Sequence, residues 1–397
     1  MRLLMPTDVY FPRVNGVSSS IRGFARELVR RGHEVTVVAP EYAGDGHVED
    51  FELLRLPART IFFDPEDRLI RSSALRGAKR SLVGRHWDVI HVHTPFQAHA
   101  LGVHLRRKLG VPVVESYHTY FEQYVAHYMP RAPATPLRSA ARSLSRRICA
   151  AVDHVIVPSR EMSDVLDGYG ISAPRTILPT GVDLREFATG DGAGFRRAHG
   201  IEPGRPVVVT VSRLSREKNI DRLLEAVALL RGELPELLFL VAGDGPDMPR
   251  LRARTTELGL DAHVRFFGNL DRRTTLLDFY RAGDVFAFAS PCETQGLVLV
   301  EAMALGVPIV STAVMGTATV LEGTRCARIA PDDSAGFASV LASVLRDREL
   351  RAELATAGPP DAQRWSADAI MDRAVALYEQ LAAGASAPVG RDLVPET

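Results

Sequence analysis

Short apolar runs that alternate with amphipathic stretches recur along almost the whole chain, and this alternation constrains the fold more than any other feature. Runs such as EVTVVAP and DVIHVHT are separated by stretches of helical periodicity such as SSSIRGFARELVRRG. Strand-length runs that alternate with helices of about 10–15 residues are typical of βαβ units around a parallel sheet. The runs are continuously apolar, as expected for parallel strands covered on both faces. The pattern therefore predicts an α/β, doubly wound fold.

The chain has 397 residues, which is too many for one ordinary hydrophobic core. A second series of strand-like runs begins with PVVVTV, after a glycine-rich loop at 186–206. We therefore predict an N-terminal Rossmann-like domain over 1–185 and a C-terminal one over 186–367, with the final helix, 368–384, packing back near the first domain. Ligands bind beyond the carboxyl ends of the strands in such sheets, so residues at these ends decide the function.

The charge is balanced over the whole chain, with 48 basic and 48 acidic residues, but not within its halves. Residues 1–185 carry 25 basic and 19 acidic residues, a net charge of +6, and the remainder has a net charge of −6. This asymmetry indicates that an anionic partner, if there is one, meets the first half. We predict no nucleic-acid partner.

The three cysteines, Cys149, Cys292 and Cys326, are far apart, which argues against both a disulfide framework and a zinc site. The chain shows neither a secretory signal nor a run of the roughly 20 apolar residues that span a bilayer. We therefore expect a cytoplasmic protein, with peripheral attachment to the inner membrane face left open.

Two glutamates stand eight positions apart in PCETQGLVLVEAMALG, with Glu293 in a loop and Glu301 in the following helix. The backbone amides at Gly296 and Leu297 begin this helix, and such an end binds phosphate. A carboxylate beside an anion site is best used to accept hydrogen bonds from hydroxyl groups of the same ligand. Sugar hydroxyls suit Glu293 and ribose hydroxyls suit Glu301. The alternative is a solvated loop acid and a surface helix acid.

This string resembles the E-x7-E signature of glycosyltransferase family 4, and the resemblance extends from MRLLMPTDVYFPRVNGVSSS to the final helix. It implies the GT-B fold, a nucleotide-diphosphate sugar donor, retention of the anomeric configuration, and no metal or other cofactor. It also implies that Glu293, with Thr294 beside it, contacts the donor sugar and that Glu301 contacts the ribose.

A basic pair follows the strand in VVVTVSRLSREKN, where Arg213 and Lys218 can reach a ligand with long side chains. A guanidinium fork and an ammonium group together suit a diphosphate. Family members resemble this chain in having Arg and Lys at this spacing, which implies the diphosphate role for both. Ser212 and Asn219 stand where the family often has glycine, and Arg216 is interpreted as a solvated cation.

The resemblance implies further donor contacts in three glycine-containing loops. Gly243 of GDGP and the pair Gly268–Asn269 would lie near the base, although a plain turn also explains GDGP. Asn15 and Gly16 precede a serine-capped helix, and a glycine there lets the backbone approach a phosphate closely.

His118 follows the strand VPVVESY, and the resemblance implies that it lies beside the reacting sugar. We expect it to donate or accept hydrogen bonds rather than to act as a general base, and a packed histidine is the alternative. His91 and His93 are interpreted as packing and positioning residues, because neither has a metal-ligand partner at convincing spacing. The absence of a D-x-D motif agrees with a site that needs no metal.

The stretch from Gln123 to Val152 contains no acidic residue and has apolar residues at helical spacing. Such a basic amphipathic helix can lie on an anionic membrane, or it can pack its apolar stripe on the domain core. HTYFEQYVAHYMP and ETQGL resemble the family branch that glycosylates diacylglycerol-type lipids, and lipid mannosyltransferases look similar. The candidate membrane and acceptor residues are Arg131, Arg138, Arg142, Arg146 and Arg147.

Together these features predict a retaining glycosyltransferase that moves a hexose from a UDP- or GDP-sugar to a lipid or glycolipid at the cytoplasmic membrane face. A soluble or polysaccharide acceptor is the main alternative. A GT-B nucleotide-sugar 2-epimerase and a non-enzymatic sugar-binding protein are weaker alternatives, because the two glutamates and the Arg–Lys pair occur together with His118.

Overall fold

The computed structural model describes residues 1–13, 15–42, 48–61, 64–118, 120, 134–272 and 274–384. These residues form two compact units. The first comprises Met1–Gly181 and the last helix, and the second comprises Val182–Ser366.

The first unit is built on a seven-stranded sheet in which every neighbouring pair of strands is parallel. The strand order is β3-β2-β1-β6-β7-β8-β9, and β4 and β5 form a separate antiparallel pair. The strands are β1 (Arg2–Pro6), β2 (Glu34–Pro40), β3 (Glu52–Leu56), β4 (Ala58–Ile61), β5 (Asp64–Ile70), β6 (Val89–Val92), β7 (Val113–Ser116), β8 (His154–Val157) and β9 (Arg175–Ile177).

Six helices are described in this unit. They are α1 (Gly16–Arg30), α2 (Ser72–Val83), α3 (Gln97–Leu109), α4 (Ala134–Cys149), α5 (Arg160–Gly168) and α14 (Ala367–Ala382), the last helix of the chain. Helix α1 buries Ile21, Phe24, Ala25 and Leu28, which follow the 3–4 spacing of one helical face. Helix α14 packs against α1 and contributes to the same apolar core.

The second unit contains a six-stranded parallel sheet in the order β12-β11-β10-β13-β14-β15. Its strands are β10 (Val207–Val211), β11 (Leu238–Ala242), β12 (Val264–Gly268), β13 (Val285–Phe288), β14 (Ile309–Ser311) and β15 (Ala327–Ile329). Its described α-helices are α6 (Gly192–Ala198), α7 (Ile220–Leu230), α8 (Met248–Glu257), α9 (Thr275–Ala282), α10 (Leu297–Ala304), α11 (Gly316–Leu321), α12 (Ser334–Arg346) and α13 (Arg348–Ala362). Two apolar clusters, one on each face, cover the sheet.

Both units therefore confirm the predicted α/β class with doubly wound parallel sheets. In each sheet the strand order reverses at one point, between β1 and β6 in the first unit and between β10 and β13 in the second. The loops that leave the two strands at such a point diverge, and ligands bind in the crevice between them. These two points position the candidate site residues.

Candidate functional site

The loops that follow β10 and β13 meet at an ion pair between Lys218 and Glu293. The Lys218 Nζ donates a hydrogen bond to Glu293 Oε1 at 2.6 Å, and the two side chains are only 20% and 16% exposed. Burial lowers the pKa of Lys218, but the charge of Glu293 and this hydrogen bond outweigh burial and hold the pKa above its usual value. Lys218 is therefore a charged ammonium group at the point where the strand order reverses.

The loop that carries Lys218 has an unusual backbone at its end. A short 3₁₀ turn, Arg216–Lys218, is followed by Asn219 at φ +52°, which begins α7. The Asn219 Nδ2 also donates to Ala289 O at 3.3 Å, at the end of the neighbouring strand. Asparagine tolerates this left-handed conformation better than most residues. This explains how Asn219 can stand where the family often has glycine.

The two arginines of this loop differ in exposure. Arg213 lies two residues beyond β10 and is half-buried, and its carbonyl accepts a hydrogen bond from Ser215 N at 3.0 Å. The Arg216 side chain is 68% exposed and lies 3.9 Å from the Asp247 carboxylate. Arg216 is thus turned toward solvent and the surface of its own unit.

The Glu293 loop is held by a glycine that the sequence analysis did not identify. Gly316 N donates to Glu293 O at 2.8 Å, and a Cβ atom at Gly316 would lie 2.1 Å from Thr294 O. Two residues just before it, Ala313 and Met315, have positive φ angles of 50° and 55°. Strain of this kind is found where surrounding structure fixes a loop, often at a functional site. The sequence signal available was one glycine at the start of a short helix, which is weak.

Helix α10 begins immediately after this loop. Gly296, at φ +89°, precedes Leu297, the first helical residue, and no side chain caps the helix start. Amides in the first turn of a helix lack intrahelical partners and carry partial positive charge. The loop therefore presents an anion-binding helix end next to the Glu293 carboxylate.

Glu301 is buried, with 2% of its surface exposed, so the alternative interpretation as a surface helix acid is wrong. Its two oxygens accept hydrogen bonds from Arg272 Nη2 at 2.5 Å and from Tyr280 Oη at 2.8 Å. Burial, followed by the charge of Glu301, raises the pKa of Tyr280 well above its usual value, so the phenol remains a donor.

Arg272 also lies over the Phe187 ring, with its guanidinium carbon 5.5 Å from the ring centroid. Neither Arg272 nor Tyr280 was identified from the sequence. Tyr280 lies on the buried face of α9, where an aromatic side chain is expected simply as part of the hydrophobic core.

Gly243, near the predicted base site, has a structural explanation within the fold. Gly243 is at φ +117°, and a Cβ atom there would lie 1.8 Å from Ser212 O. Its amide donates to Gly268 O at 2.7 Å, which joins the two loops, and Asn269 is exposed beside them. Close backbone approach therefore requires glycine at 243 whatever binds nearby, and the contact of these residues with a base stays a prediction.

Asn15 and Gly16 lie at the start of α1 in the first unit. The Asn15 Oδ1 accepts a hydrogen bond from Ser18 N at 2.8 Å and so caps the helix. A Cβ atom at Gly16 would meet no described atom within 4 Å. The described part of the fold thus gives no packing reason for glycine at this position.

His118 follows β7 and is half-buried beside the end of β6. Its Nε2 lies 3.3 Å from His93 Nδ1, and the two rings are nearly parallel, at 14°, with centroids 5.6 Å apart. Burial lowers the pKa of His118 to about 4 and the pKa of His93 well below its usual value, so both are neutral near pH 7. His91, by contrast, is bonded through both nitrogens, to Ser116 Oγ and Tyr378 Oη, each at 2.7 Å.

The predicted basic amphipathic helix is present as α4, which buries Ala141, Ser145, Ile148 and Cys149 against the first unit. Leu144, also in the apolar pattern, is 38% exposed. The helix thus packs on the core through one face, as one of the two interpretations predicted, while its other face is open.

The arginines of this stretch divide into two groups. Arg146 Nε donates to Tyr169 O at 2.7 Å, and the Arg142 guanidinium carbon lies 5.5 Å from the centre of the Tyr169 ring. Both are exposed, as are Arg138 and Arg147, but the side chains of Arg138 and Arg147 make no hydrogen bond, ion pair or ring contact among the described residues. Arg131 lies outside the described residues, as does most of HTYFEQYVAHYMP.

Across the described ranges, no group of three or more His, Cys, Asp or Glu side chains is arranged to hold a metal ion. No described helix combines the length and apolar composition that crossing a membrane requires.

Comparison with known proteins covers nearly the whole chain. Residues 14–186 match the sequence profile of Glycosyltransferase Family 4, and residues 193–360 match that of Glycosyl transferases group 1. An alpha-monoglucosyldiacylglycerol synthase from Streptococcus pneumoniae is 35% identical over 320 residues, covering 78% of this chain and 71% of that protein. A GDP-mannose-dependent alpha-(1-6)-phosphatidylinositol monomannoside mannosyltransferase from Mycolicibacterium smegmatis is 28% identical over 385 residues, covering 92% and 94%.

Solved structures of similar fold include sucrose-phosphate synthase from Thermosynechococcus elongatus, with a TM-score of 0.79 at 22% identity over 97% of this chain and 100% of that one. HepE from Anabaena, in complex with UDP and glucose, has a TM-score of 0.76 at 20% identity over 95% and 99%. These likenesses confirm the GT-B fold, and the sequence matches confirm the resemblance drawn from the E-x7-E string. The chain therefore belongs to glycosyltransferase family 4, and it is a glycosyltransferase.

Proposed function

We propose that this protein is a retaining hexosyltransferase that moves a hexose from a UDP- or GDP-sugar to a lipid or glycolipid acceptor at the cytoplasmic face of a membrane. The contact between Lys218 and Glu293 carries the proposal. It joins a charged ammonium group to a carboxylate at the point where the strand order of the second sheet reverses. A diphosphate needs the cation and a sugar needs the hydrogen-bond acceptor, so one ligand with both parts fits the pair.

Lys218 can bind a diphosphate while it keeps its hydrogen bond to Glu293. An ammonium group has three N–H donors, and one of them is used by Glu293. Two donors remain for phosphate oxygens, beside the guanidinium fork of Arg213 and the amides at the start of α10. These fixed positive groups would stabilise the charge that develops on the leaving nucleotide diphosphate. As the resemblance implies, the leaving phosphate would accept the proton of the acceptor hydroxyl.

Glu293 and Glu301 would bind hydroxyl groups of the donor. An ionised carboxylate is an acceptor only, and each of its oxygens has room for a second hydrogen bond. Glu301 is already oriented by Arg272 and Tyr280, so its remaining acceptor positions have fixed directions. We propose that ribose hydroxyls use these positions and that the hexose uses Glu293.

The lipid acceptor is supported by the relatives and by the charge of residues 1–185. The pneumococcal relative is named for a glucosyldiacylglycerol product and the mycobacterial one for a phosphatidylinositol mannoside. Residues 1–185 carry a net charge of +6, and Arg138 and Arg147 are exposed on α4. Basic residues near an anionic membrane each contribute about 1 kcal/mol of attraction.

The experiment that tests the function offers the full-length protein several donors and two kinds of acceptor. UDP-glucose, UDP-galactose and GDP-mannose are first ranked by thermal shift, because a specific ligand stabilises the fold by mass action. The best donor is then incubated with vesicles containing diacylglycerol or with water-soluble glycans, and the product's anomer is determined by NMR.

An α-glycolipid formed from an α-linked donor supports the proposal. Transfer to soluble glycans alone would favour the polysaccharide alternative. Isomerised nucleotide sugar formed without any acceptor would favour the 2-epimerase. Inverted product would contradict the retaining assignment.

A further inference from the structure

The rings of His93 and His118 are nearly parallel and meet through one nitrogen of each. We propose that His93 is a positioning residue that holds His118 in the tautomer with its proton on Nδ1, so that His118 offers an N–H donor to the ligand. The inference deepens the proposed function, since it rests on His118 meeting the donor substrate.

The two rings are brought together by the order of the strands. His93 directly follows β6 and His118 lies two residues beyond β7, and these strands are parallel neighbours. The contact joins His93 Nδ1 and His118 Nε2 at 3.3 Å. A neutral imidazole has one N–H and one lone pair, so the contact is a hydrogen bond in only two arrangements. Either His93 donates from Nδ1, or His118 donates from Nε2.

The other nitrogen of His93 distinguishes the two arrangements. His93 is 1% exposed, and its Nε2 has no hydrogen-bond partner among the described residues. If His118 were the donor, the single proton of His93 would sit on this Nε2, where a buried N–H would lack an acceptor. Orphaned buried N–H donors are rarer and costlier than unused lone pairs. The favoured arrangement therefore places the His93 proton on Nδ1.

The proton of His118 follows from that of His93. If His118 Nε2 accepts the hydrogen bond, the one proton of the neutral ring lies on Nδ1. That nitrogen has no partner within the described part of the chain. It is thus available to donate to a sugar or phosphate oxygen, and it has no lone pair with which to act as a base.

The His93 ring is held in place by its neighbours. The His91 ring lies 3.9 Å from it, centroid to centroid, and Phe24 packs edge-on at 6.1 Å. His91 itself is fixed at both nitrogens by Ser116 and Tyr378. His93 therefore has little freedom to turn and expose its other nitrogen to His118.

The first test reads the tautomers directly. The full-length protein, labelled with ¹⁵N-histidine and free of ligand, is examined by long-range ¹H–¹⁵N NMR at pH 7, with His93→Asn and His118→Asn variants used for assignment. We expect both rings to carry their proton on Nδ1. A proton on Nε2 of His118 would overturn the inference, whatever the catalytic activity.

The second test separates the hydrogen bond from burial. His93→Asn keeps an N–H donor close to the Nδ1 position, whereas His93→Leu removes it. We expect kcat/KM for the donor to fall roughly tenfold in the leucine variant, as for loss of one ordinary hydrogen bond, and to recover largely in the asparagine variant. Equal kinetics in the two variants would overturn the inference.

His154→Leu is the matched control. His154 is also buried in the first unit, with Nε2 bonded to Thr176 Oγ1 at 2.9 Å and Nδ1 unpaired among the described residues. Its substitution should lower stability while leaving kcat/KM unchanged, and an equal kinetic loss there would contradict a specific role for His93. If the wild-type protein transfers no sugar, the proposed function fails, while the NMR result still decides the tautomer.

Discussion

At the scale of single residues, the Lys218–Glu293 pair contributes differently to ligand binding and to the stability of the fold. Two mostly buried charges in contact compensate each other, but removal of either one leaves the other without a partner. A ligand that carries both phosphate and hydroxyl groups adds partners to both charges. The pair is therefore suited to binding a ligand more than to stabilising the fold.

Lys218→Ala should weaken the binding of nucleoside diphosphate, because it removes a charge-assisted contact worth roughly 1.5–3 kcal/mol. Arg213→Ala should behave similarly. Arg216→Ala is the matched control, since its side chain is largely exposed and should matter little. Isothermal titration calorimetry with UDP and GDP gives the affinities, alongside kcat/KM. An equal loss in the Arg216 variant would refute the assignment of this loop.

Gly16→Ala should leave the fold intact and reduce turnover. A Cβ atom there meets no described atom within 4 Å, and alanine near a helix start is favoured over glycine by up to about 1 kcal/mol. The same methyl group would obstruct a phosphate that approaches the backbone. Gly77→Ala, in α2 with equally open surroundings, is the control. Thermal unfolding and kcat/KM should separate the two variants, and full activity in Gly16→Ala would show that no ligand approaches this glycine.

At the scale of elements, helices α9 and α10 are linked through the carboxylate of Glu301. Tyr280→Phe removes the donor to one oxygen of this buried group, so the free energy of unfolding should fall by about 1–3 kcal/mol. Nucleotide affinity should fall with it if Glu301 binds the ribose. Thr255→Val, which removes a buried hydroxyl from α8, is the control and should leave nucleotide affinity unchanged. Urea unfolding and calorimetric titration test both, and unchanged affinity in Tyr280→Phe would count against the ribose role.

Helix α4 should contribute to membrane binding through Arg138 and Arg147, the two of its four exposed arginines that do not contact Tyr169. Arg138→Glu combined with Arg147→Glu should release the protein from anionic vesicles. Each basic residue near the membrane surface contributes about 1 kcal/mol of attraction, and these substitutions reverse the charge at both positions. Arg142 and Arg146 should be left unchanged, since both contact Tyr169 within the fold.

The control for this double variant carries the same change of charge in the second unit, Arg325→Glu with Arg348→Glu, at two exposed positions. Vesicle co-sedimentation at low and high salt gives the readout, with donor affinity measured in parallel. Equal sedimentation of the α4 variant and the wild type would remove the charge argument for a membrane surface, leaving the lipid acceptor to rest on the relatives.

At the scale of the whole molecule, acid should destabilise the protein through buried histidines of the first unit. Burial lowers the pKa of His91 to about 3 and those of His118 and His154 to about 4, and that of His93 falls well below its usual value. The unfolded chain protonates these four residues near pH 6.5, whereas the folded chain keeps them neutral. Their contribution to stability is present above pH 6.5 and is lost as the pH falls toward 4.

Two buried carboxyl groups act in the opposite direction. Burial raises the pKa of Asp8 to about 6 and that of Glu115 to about 7. As the pH falls, these two groups therefore bind protons in the folded chain before they do so in the unfolded chain. Between pH 6 and 5 the unfolded chain therefore binds about two more protons than the folded chain. The free energy of unfolding should fall by roughly 2–3 kcal/mol per pH unit in this window.

Urea titrations at several pH values measure this slope, and calorimetry shows which unit melts. Because all six groups lie in the first unit, its transition should move with pH. His154→Gln should reduce the slope by about 1.4 kcal/mol per pH unit, the effect of one proton. A stability that stays constant or rises on acidification would contradict this account.

The fold class, and the places in the chain where candidate ligand-binding residues follow strands, could be predicted from sequence. Apolar periodicity is local, so it identifies β10 and β13 and the loops after them without knowledge of their partners. Residue chemistry is local too, which is why Lys218 and Glu293 could be singled out as a cation and an acceptor. Asn219 in its left-handed conformation likewise agrees with an intrinsic preference of asparagine.

The contacts between these residues could not be predicted in this way, because they depend on the folded arrangement of the strands. Lys218 and Glu293 are 75 positions apart and meet because β10 and β13 are neighbours where the strand order reverses, which local periodicity does not encode. The same holds for Tyr280 with Glu301 and for His93 with His118. The arginines of α4 could not be told apart from sequence, and contact with Tyr169 in the fold distinguishes Arg142 and Arg146 from the others. Composition and period describe each element alone, whereas hydrogen-bond partners follow from strand order and burial, which the whole core sets together.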